Sequence, residues 1–223
     1  MAGSIDTDDF HAQGFCILAP LISSTLCDRL CERLGLLDAR RPGSRRLLGL
    51  EPVAHAAAAI GSHPSVRPLL AERAKAVQCT LFIKDVTTNW SVTPHQDLSI
   101  PVRKRLDVPG WSGWSVKEGV LFVQPPVAVL EQLVAVRLQL DHDSEATGPL
   151  EVVAGTHRLG RLPSGDVSRW ASQGTVRCVV PRGGALAMRP LIVHTSGKST
   201  GGVRRVLHFL FGPPLPAGLC WAD

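Results

Sequence analysis

His95 and Asp97 stand two residues apart in the stretch NWSVTPHQDLSIPV (89–102). Side chains alternate between the two faces of an extended chain, so an imidazole and a carboxylate at this spacing project to one side and can meet at one point. A divalent cation takes such donors, but it needs a third from elsewhere in the chain. His194 is placed to supply it, because it closes the apolar run Leu191-Ile192-Val193 and precedes a polar, glycine-rich turn. Two histidines and one carboxylate on one face of an octahedron leave three positions open, the donor set of non-heme iron(II) oxygenases. Each piece recurs by chance in unrelated chains. Order, spacing and strand context together point to the metal.

Arg204 and Arg205 follow His194 by ten and eleven residues, in the run VRRVLHFLF. A connection of that length returns the chain beside the His194 segment. Alternation sends the two arginines to opposite faces, so only one can point inward. A buried guanidinium can grip a carboxylate through two parallel hydrogen bonds. 2-Oxoglutarate has that need: its C1 carboxylate and keto oxygen chelate iron, and its far carboxylate seeks a buried cation. Ser196, two residues past His194, adds a hydroxyl donor.

Other polar positions have two readings each. Asn89 shares a strand face with Ser91, Thr93 and His95, and can serve either as a hydrogen-bond partner for 2-oxoglutarate or substrate or as a polar strand end. Lys84 stands before a turn and reads more readily as a solvated lysine. Arg137 and Gln139 occupy the polar face of VAVRLQL, which suits either an anion-holding barrel interior or a charged outer face. His208 shares a face with Arg204 and reads as core. Trp111 and Trp114 read as loop packing, with a substrate mouth as the other reading.

The elements that must position these residues change character along the chain. Residues 1–75 read as helical. LCDRLCERLGLL carries Leu26, Leu30, Leu34 and Leu37 on one face, behind the cap candidates Ser23, Ser24 and Thr25. A break at 41–43 follows, then a short alanine-rich helix over 52–60 and a third helix over 65–77. From residue 78 short alternating runs separated by turns predict strands near 78–84, 89–95, 119–124, 133–141, 150–154, 175–180, 185–188, 191–194 and 203–211, the pattern of a jelly roll. Residues 98–118, with two prolines and two glycines, read as a long functional loop or lid.

The chain has 223 residues, 44% hydrophobic and 19% charged, which suits one globular domain over 1–223: a mainly helical part over 1–77 and a jelly-roll core over 78–216. The formal net charge of +5 favours anionic ligands. The densest basic groups are Arg40, Arg41, Arg45 and Arg46, then Arg103, Lys104 and Arg105; neither is interleaved with aromatics, so nucleic acid is not expected. Tyrosine is absent, which excludes tyrosyl chemistry. Six cysteines form no CxxC pair and read as free thiols in a reducing cytosol. No signal-peptide pattern and no membrane-length apolar run occurs, so a cytoplasmic protein is expected. Oligomeric state stays open.

Four stretches resemble the phytanoyl-CoA dioxygenase family, in particular bacterial members of unassigned substrate. They are NWSVTPHQDLSIPV (89–102), LDHDSEATGPLEVVAGTHRLGRL (140–162), PRGGALAMRPLIVHTSG (181–197) and VRRVLHFLFGPPLP (203–216). The resemblance implies a double-stranded β-helix with helices packed outside it, with Fe(II) as cofactor and 2-oxoglutarate as cosubstrate. It implies His95, Asp97 and His194 as iron ligands, and Ser196 with one arginine of the 204–205 pair at the 2-oxoglutarate site. His157 matches a position near the cosubstrate. Similar sequences carry one more residue between the second histidine and the arginine. Arg204 is preferred, because the run RVLHF then stays in register. A glycine-rich turn, Gly197 to Gly202, replaces the proline-rich turn common in the family.

The expected function is a dioxygenase that takes O2 and 2-oxoglutarate, hydroxylates a small organic or acyl-type substrate, and releases succinate and CO2. Asp97 argues against halogenation, which in related folds needs that carboxylate replaced. Two rival readings stand beside it: a cupin-type metalloenzyme without 2-oxoglutarate, and a non-catalytic jelly-roll binding module.

Overall fold

Alternation decides the architecture of the computed structural model, which describes residues 6–35, 46–85, 88–216 and 218–222. In chain order the elements are α1 (Thr7–Gln13), β1 (Phe15–Leu18), α2 (Ser24–Gly35), α3 (Glu51–Ser62), β2 (Lys75–Lys84), β3 (Val92–His95), β4 (Ile100–Val102), β5 (Ser112–Lys117), β6 (Val120–Gln124), α4 (Val127–Leu130), β7 (Val134–Gln139), β8 (Leu150–Val153), α5 (Ser164–Ser172), β9 (Val176–Cys178), β10 (Ala185–Met188), β11 (Val193–Ser196) and β12 (Arg204–Gly212).

The strands pair antiparallel in three sheets, ordered β1-β10-β7-β12-β2, β3-β11-β8-β9 and β4-β6-β5. The first two are the walls of a double-stranded β-helix, and side chains of all three sheets line the cavity between them. Each strand of the large sheet has two faces with different work. On β12 the residues Leu207, Phe209 and Phe211 join an apolar cluster with Val136 and Leu138 of β7 and with Leu30, Leu34, Val53 and Ile60 of α2 and α3. Arg204, Val206, His208 and Leu210, the alternate positions, line the cavity.

Three sequence expectations are corrected. The segment Phe15–Leu18 is a strand, not helix, and it extends the large sheet by pairing with β10. Asp6 caps α1 by accepting from the backbone N–H of Asp8 (2.9 Å) and Asp9 (3.3 Å), and Gly14 ends it at φ 84°. The chain then leaves extended, and the open edge of β10 takes it. The third helix expected over 65–77 shrinks to one 3-10 turn, Arg67–Leu69. Arg73 at φ 57° cannot continue a right-handed helix, and β2 begins at Lys75 because β12 offers it pairing down to Gly212. Residues 98–118 are no simple lid: β4 and β5 flank β6 as the small third sheet, and Trp111 is buried in an apolar cluster with Ile100 and Val123. The break expected at 41–43, Leu37, and the basic residues Arg40, Arg41 and Arg45 lie outside the described residues.

Candidate active site

Register creates the site. β3 and β11 run antiparallel with His194 directly opposite His95, and the two rings lie 4.2 Å apart between centroids. The pairing slips between His194 and Ser196, a bulge that Thr195 stitches by donating from Oγ1 to the carbonyl of Val92 at 2.6 Å. Asp97 lies just past the end of β3, fixed by its backbone N–H on the carbonyl of Pro190 at 2.9 Å. One carboxylate oxygen of Asp97 is 3.8 Å from Nε2 of His95, and the other is 3.8 Å from Nε2 of His194. One donor atom from each of the three residues lies within 4.8 Å of the others.

The histidine tautomers follow from what each Nδ1 meets. Nδ1 of His95 is 2.9 Å from the carbonyl of Thr93, and Nδ1 of His194 is 2.9 Å from that of Ile192. A carbonyl only accepts, so both Nδ1 atoms carry the proton and both Nε2 lone pairs are left for a cation. Burial pushes the His194 pKa down to about 4, which keeps that ring neutral and ligand-ready at neutral pH. Burial works to raise the Asp97 pKa, but the fields of His194, His208, His95 and Arg137 outweigh it and hold the carboxyl below its ordinary value.

Gln96 points the other way, as alternation requires. Its amide donates to the carbonyls of Leu191 (2.6 Å) and Gly160 (2.8 Å) and accepts from the backbone of Leu162 at 2.9 Å. This buried clamp ties the His95–Asp97 segment to the chain leading into His194.

A second layer stands behind Asp97. Nε2 of His208 is 4.0 Å from Asp97, and its Nδ1 is 2.9 Å from a guanidinium nitrogen of Arg137. A guanidinium only donates, so His208 accepts at Nδ1 and turns an Nε2–H toward Asp97. Burial, then Arg137, pushes the His208 pKa down to about 3, so it stays neutral there.

The far end of the same cavity is built by Arg204, Lys84 and Ser196. Arg204 and Lys84 are register partners on β12 and β2. Lys84 donates to Oγ of Ser196 (3.1 Å) and to the carbonyl of Gly197 (2.6 Å). Arg204 is buried, and its Nε has no hydrogen-bond partner. Its neighbour Arg205 faces away and is fully engaged: Asp141 accepts from its Nε at 3.0 Å, from a terminal nitrogen at 2.6 Å and from its backbone at 2.7 Å. Strand alternation thus gives one arginine a carboxylate of the protein and leaves the other open to the cavity.

Two candidate residues do not come to the site. Asn89 does not line the cavity; its amide donates to the carbonyl of Ser199 at 2.7 Å and accepts from the Ser199 backbone at 2.8 Å, holding the turn after β11. His157 lies against α1, with Nε2 3.1 Å from the carbonyl of His11, and it packs so closely on Gly14 that a Cβ there would collide with it. Both are taken up by contacts with distant parts of the chain that the sequence pattern does not reveal. Lys84, Arg137 and His208 do line the cavity, although the chain pattern favoured solvent or core for Lys84 and His208. The signal that finds Lys84 and Arg137 is their pairing with Arg204 and His208, which exists only once the sheet is assembled.

A family model described as Phytanoyl-CoA dioxygenase (PhyH) matches residues 10–206. The chain belongs to the phytanoyl-CoA dioxygenase family. It is thereby a non-heme oxygenase that uses Fe(II) and 2-oxoglutarate. No curated protein matches the chain. Among solved structures, the α-ketoglutarate-dependent carbocyclase SnoK from nogalamycin biosynthesis is 13% identical with a TM-score of 0.70, over 93% of this chain and 82% of SnoK. EctD from S. alaskensis with 2-oxoglutarate and 5-hydroxyectoine is 17% identical with a TM-score of 0.68, over 93% and 74%. HygX from Streptomyces hygroscopicus with nickel and 2-oxoglutarate is 17% identical with a TM-score of 0.61, over 94% and 88%. At these identities the likeness is one of fold. No helix among the described residues is long and apolar enough to cross a membrane.

Proposed function

We propose that His95 and His194, through Nε2, and Asp97, through its carboxylate, hold the Fe(II), and that Arg204 holds the far carboxylate of 2-oxoglutarate with Ser196 and Lys84 beside it. One observation carries this reading: a single cavity has three converging metal donors at one end and a buried guanidinium with an orphaned Nε at the other. The donor set fits the ion, since two neutral imidazoles and one carboxylate suit Fe(II) and leave positions for a chelating cosubstrate. The buried Arg204 and Lys84 favour this reading over a metalloenzyme that binds no anion in the cavity.

Bound iron supplies O2 activation, coupling decarboxylation of 2-oxoglutarate to succinate and CO2 with oxidation of a substrate C–H bond. The chain's own part is positional. The backbone carbonyls of Thr93 and Ile192 fix both imidazoles, the Gln96 clamp fixes the strand end, and His208 turns its Nε2–H toward the Asp97 oxygen that also faces His194. Arg204 and Lys84 neutralise the cosubstrate's tail in a site shielded from water. Residues 1–223 act as one dioxygenase domain on a small-molecule substrate, and six free thiols suit a reducing cytoplasm.

Anaerobic addition of Fe(II) and 2-oxoglutarate should produce the weak visible metal-to-ligand charge-transfer band. Asp97→Ala should lose the band, iron affinity and succinate release together. A variant that kept all three would remove Asp97 from the metal site. A wild-type protein that bound iron without the band would remove 2-oxoglutarate.

A further inference from the structure

Arg137 is a buried cation that the roles assigned above leave without a ligand. The cavity, about 390 Å³, is lined by four cationic side chains, Lys84, Lys117, Arg137 and Arg204, and by one carboxylate, Asp97. Fe(II) and 2-oxoglutarate cancel each other's charge, and Asp97 offsets one cation. Three positive charges then remain, of which only Lys117 stands exposed in water. Lys84 and Arg204 sit together at the far end. Arg137 is rooted apart from them as the register partner of His208, two inward positions along β12 from Arg204 and on the order of 13 Å of strand away, although its field still reaches both.

Arg137 is held rigidly for a ligand. It is 9% exposed, its guanidinium lies 5.3 Å from the ring centroid of Phe82, and its one hydrogen bond among the described residues goes to neutral His208. No carboxylate pairs with it at salt-bridge distance among the described residues. Asp97 and Asp143 reach it only through their fields; a desolvated guanidinium with no carboxylate in contact is costly, and its planar fork suits one. Burial, then the field of Arg204, brings its pKa down to about 10 against the fields of Asp97 and Asp143, so it stays charged at neutral pH. Beyond it the wall turns apolar, with Leu130, Leu133, Leu210 and Ile100.

We propose that this compartment takes a small free carboxylic acid with an apolar body, its carboxylate on Arg137, rather than a thioester of such an acid. A thioester carries no anion at the acyl end and would leave Arg137 unpaired. The apolar body packs on the leucines, beside the metal centre, since His208 touches both Arg137 and the surroundings of Asp97. Arg137 is a specificity-determining residue. This assignment rests on the 2-oxoglutarate reading above.

The test is anaerobic binding to the Fe(II)·2-oxoglutarate protein, read by calorimetry and by perturbation of the charge-transfer band. The probes are hexanoate, octanoate and phenylacetate, each against its primary amide. Acids should bind wild type about tenfold or more tightly than amides, the worth of a charge-assisted contact. Arg137→Gln should erase that preference while the 2-oxoglutarate Kd stays within about twofold, and Arg137→Lys should keep part of it. Equal binding of acids and amides, or no acid binding, overturns the proposal with the cofactor reading intact. A 2-oxoglutarate Kd raised in Arg137→Gln as in Arg204→Gln also overturns it, because Arg137 then grips the cosubstrate. A wild type that shows no band at all removes the cofactor reading and this inference with it.

Discussion

The two faces of the five-stranded sheet use the same strands for opposite ends. On one face Leu207, Phe209 and Phe211 interleave with Val136, Leu138 and Leu81 under α2 and α3, and every one is nearly or wholly buried. On the other, Lys84, Arg137 and Arg204 stand in a cavity with no carboxylate of the chain within salt-bridge reach of any of them among the described residues. The first face stabilises by removing apolar surface from water, about 25 cal/mol per Å². The second works against folding, because like charges are brought together out of water. Arg204 and Arg205 compress the contrast into one peptide bond. The outward arginine is satisfied by Asp141, and the inward one is left open. Stability and chemistry are thus separated by the parity of a residue's position.

Substitutions on the two faces should therefore fail differently. Phe209→Ala, on the packed face, should lower unfolding free energy by about 3–5 kcal/mol, while the molecules that remain folded keep their 2-oxoglutarate affinity. Chemical denaturation beside ligand titration checks this, and an unchanged midpoint would break the division of faces. Arg204→Gln should do the reverse. It should raise the 2-oxoglutarate KM by roughly ten- to a hundredfold, equivalent to about 1.5–3 kcal/mol, with iron affinity little changed and no loss of stability.

Lys84 sharpens the comparison through pH. Burial, then Arg204 and Arg137, lowers its pKa from 10.5 to about 8. Between those values the unfolded chain binds the proton that the folded chain has released, so Lys84 makes stability rise as pH climbs from about 8 to 10.5. The anion needs the charged form, so 2-oxoglutarate affinity should be greatest below pH 8 and fall above it. Cys16, whose thiol is pushed up to about 12 by burial and then Asp9, acts on stability in the opposite sense above pH 9. The readout is therefore the difference between wild type and Lys84→Met, which should lack both slopes. Identical pH profiles in the two proteins would leave Lys84 a structural lysine. The smallest effect belongs to Arg205→Gln, which breaks a partly exposed ion pair. It should cost about 1 kcal/mol or less and leave the 2-oxoglutarate KM unchanged. A large KM effect there with none at Arg204 would reverse their roles.

Local periodicity carried the parts of this molecule that depend on near neighbours. The H-x-D spacing alone places His95 and Asp97 on one side, because period-two geometry is a property of the backbone. The strands β6, β7, β8 and β10 were legible for the same reason. The strand expected over 191–194 forms instead over Val193–Ser196, with His194 near its start. Turn residues hid others. Prolines and glycines in 98–118 masked β4 and β5, whose pairing with β6 is a long-range choice. Asn89 matched a functional pattern by strand spacing and His157 by the family resemblance, yet Ser199 and α1 claim them, contacts made across 110 and 146 residues.

The sequence by itself determined the class of fold, the family, and the donor types of the candidate metal site, since strand periodicity and motif order survive without knowing what each strand meets. Tertiary structure alone decided which face is inside. It turned Arg204 inward and gave Arg205 to Asp141, brought Lys84 beside Arg204 by register, and set Arg137 against His208 in the cavity. A strand's alternation fixes which residues share a side. Only packing against the helices on the other side fixes which of the two sides holds the chemistry.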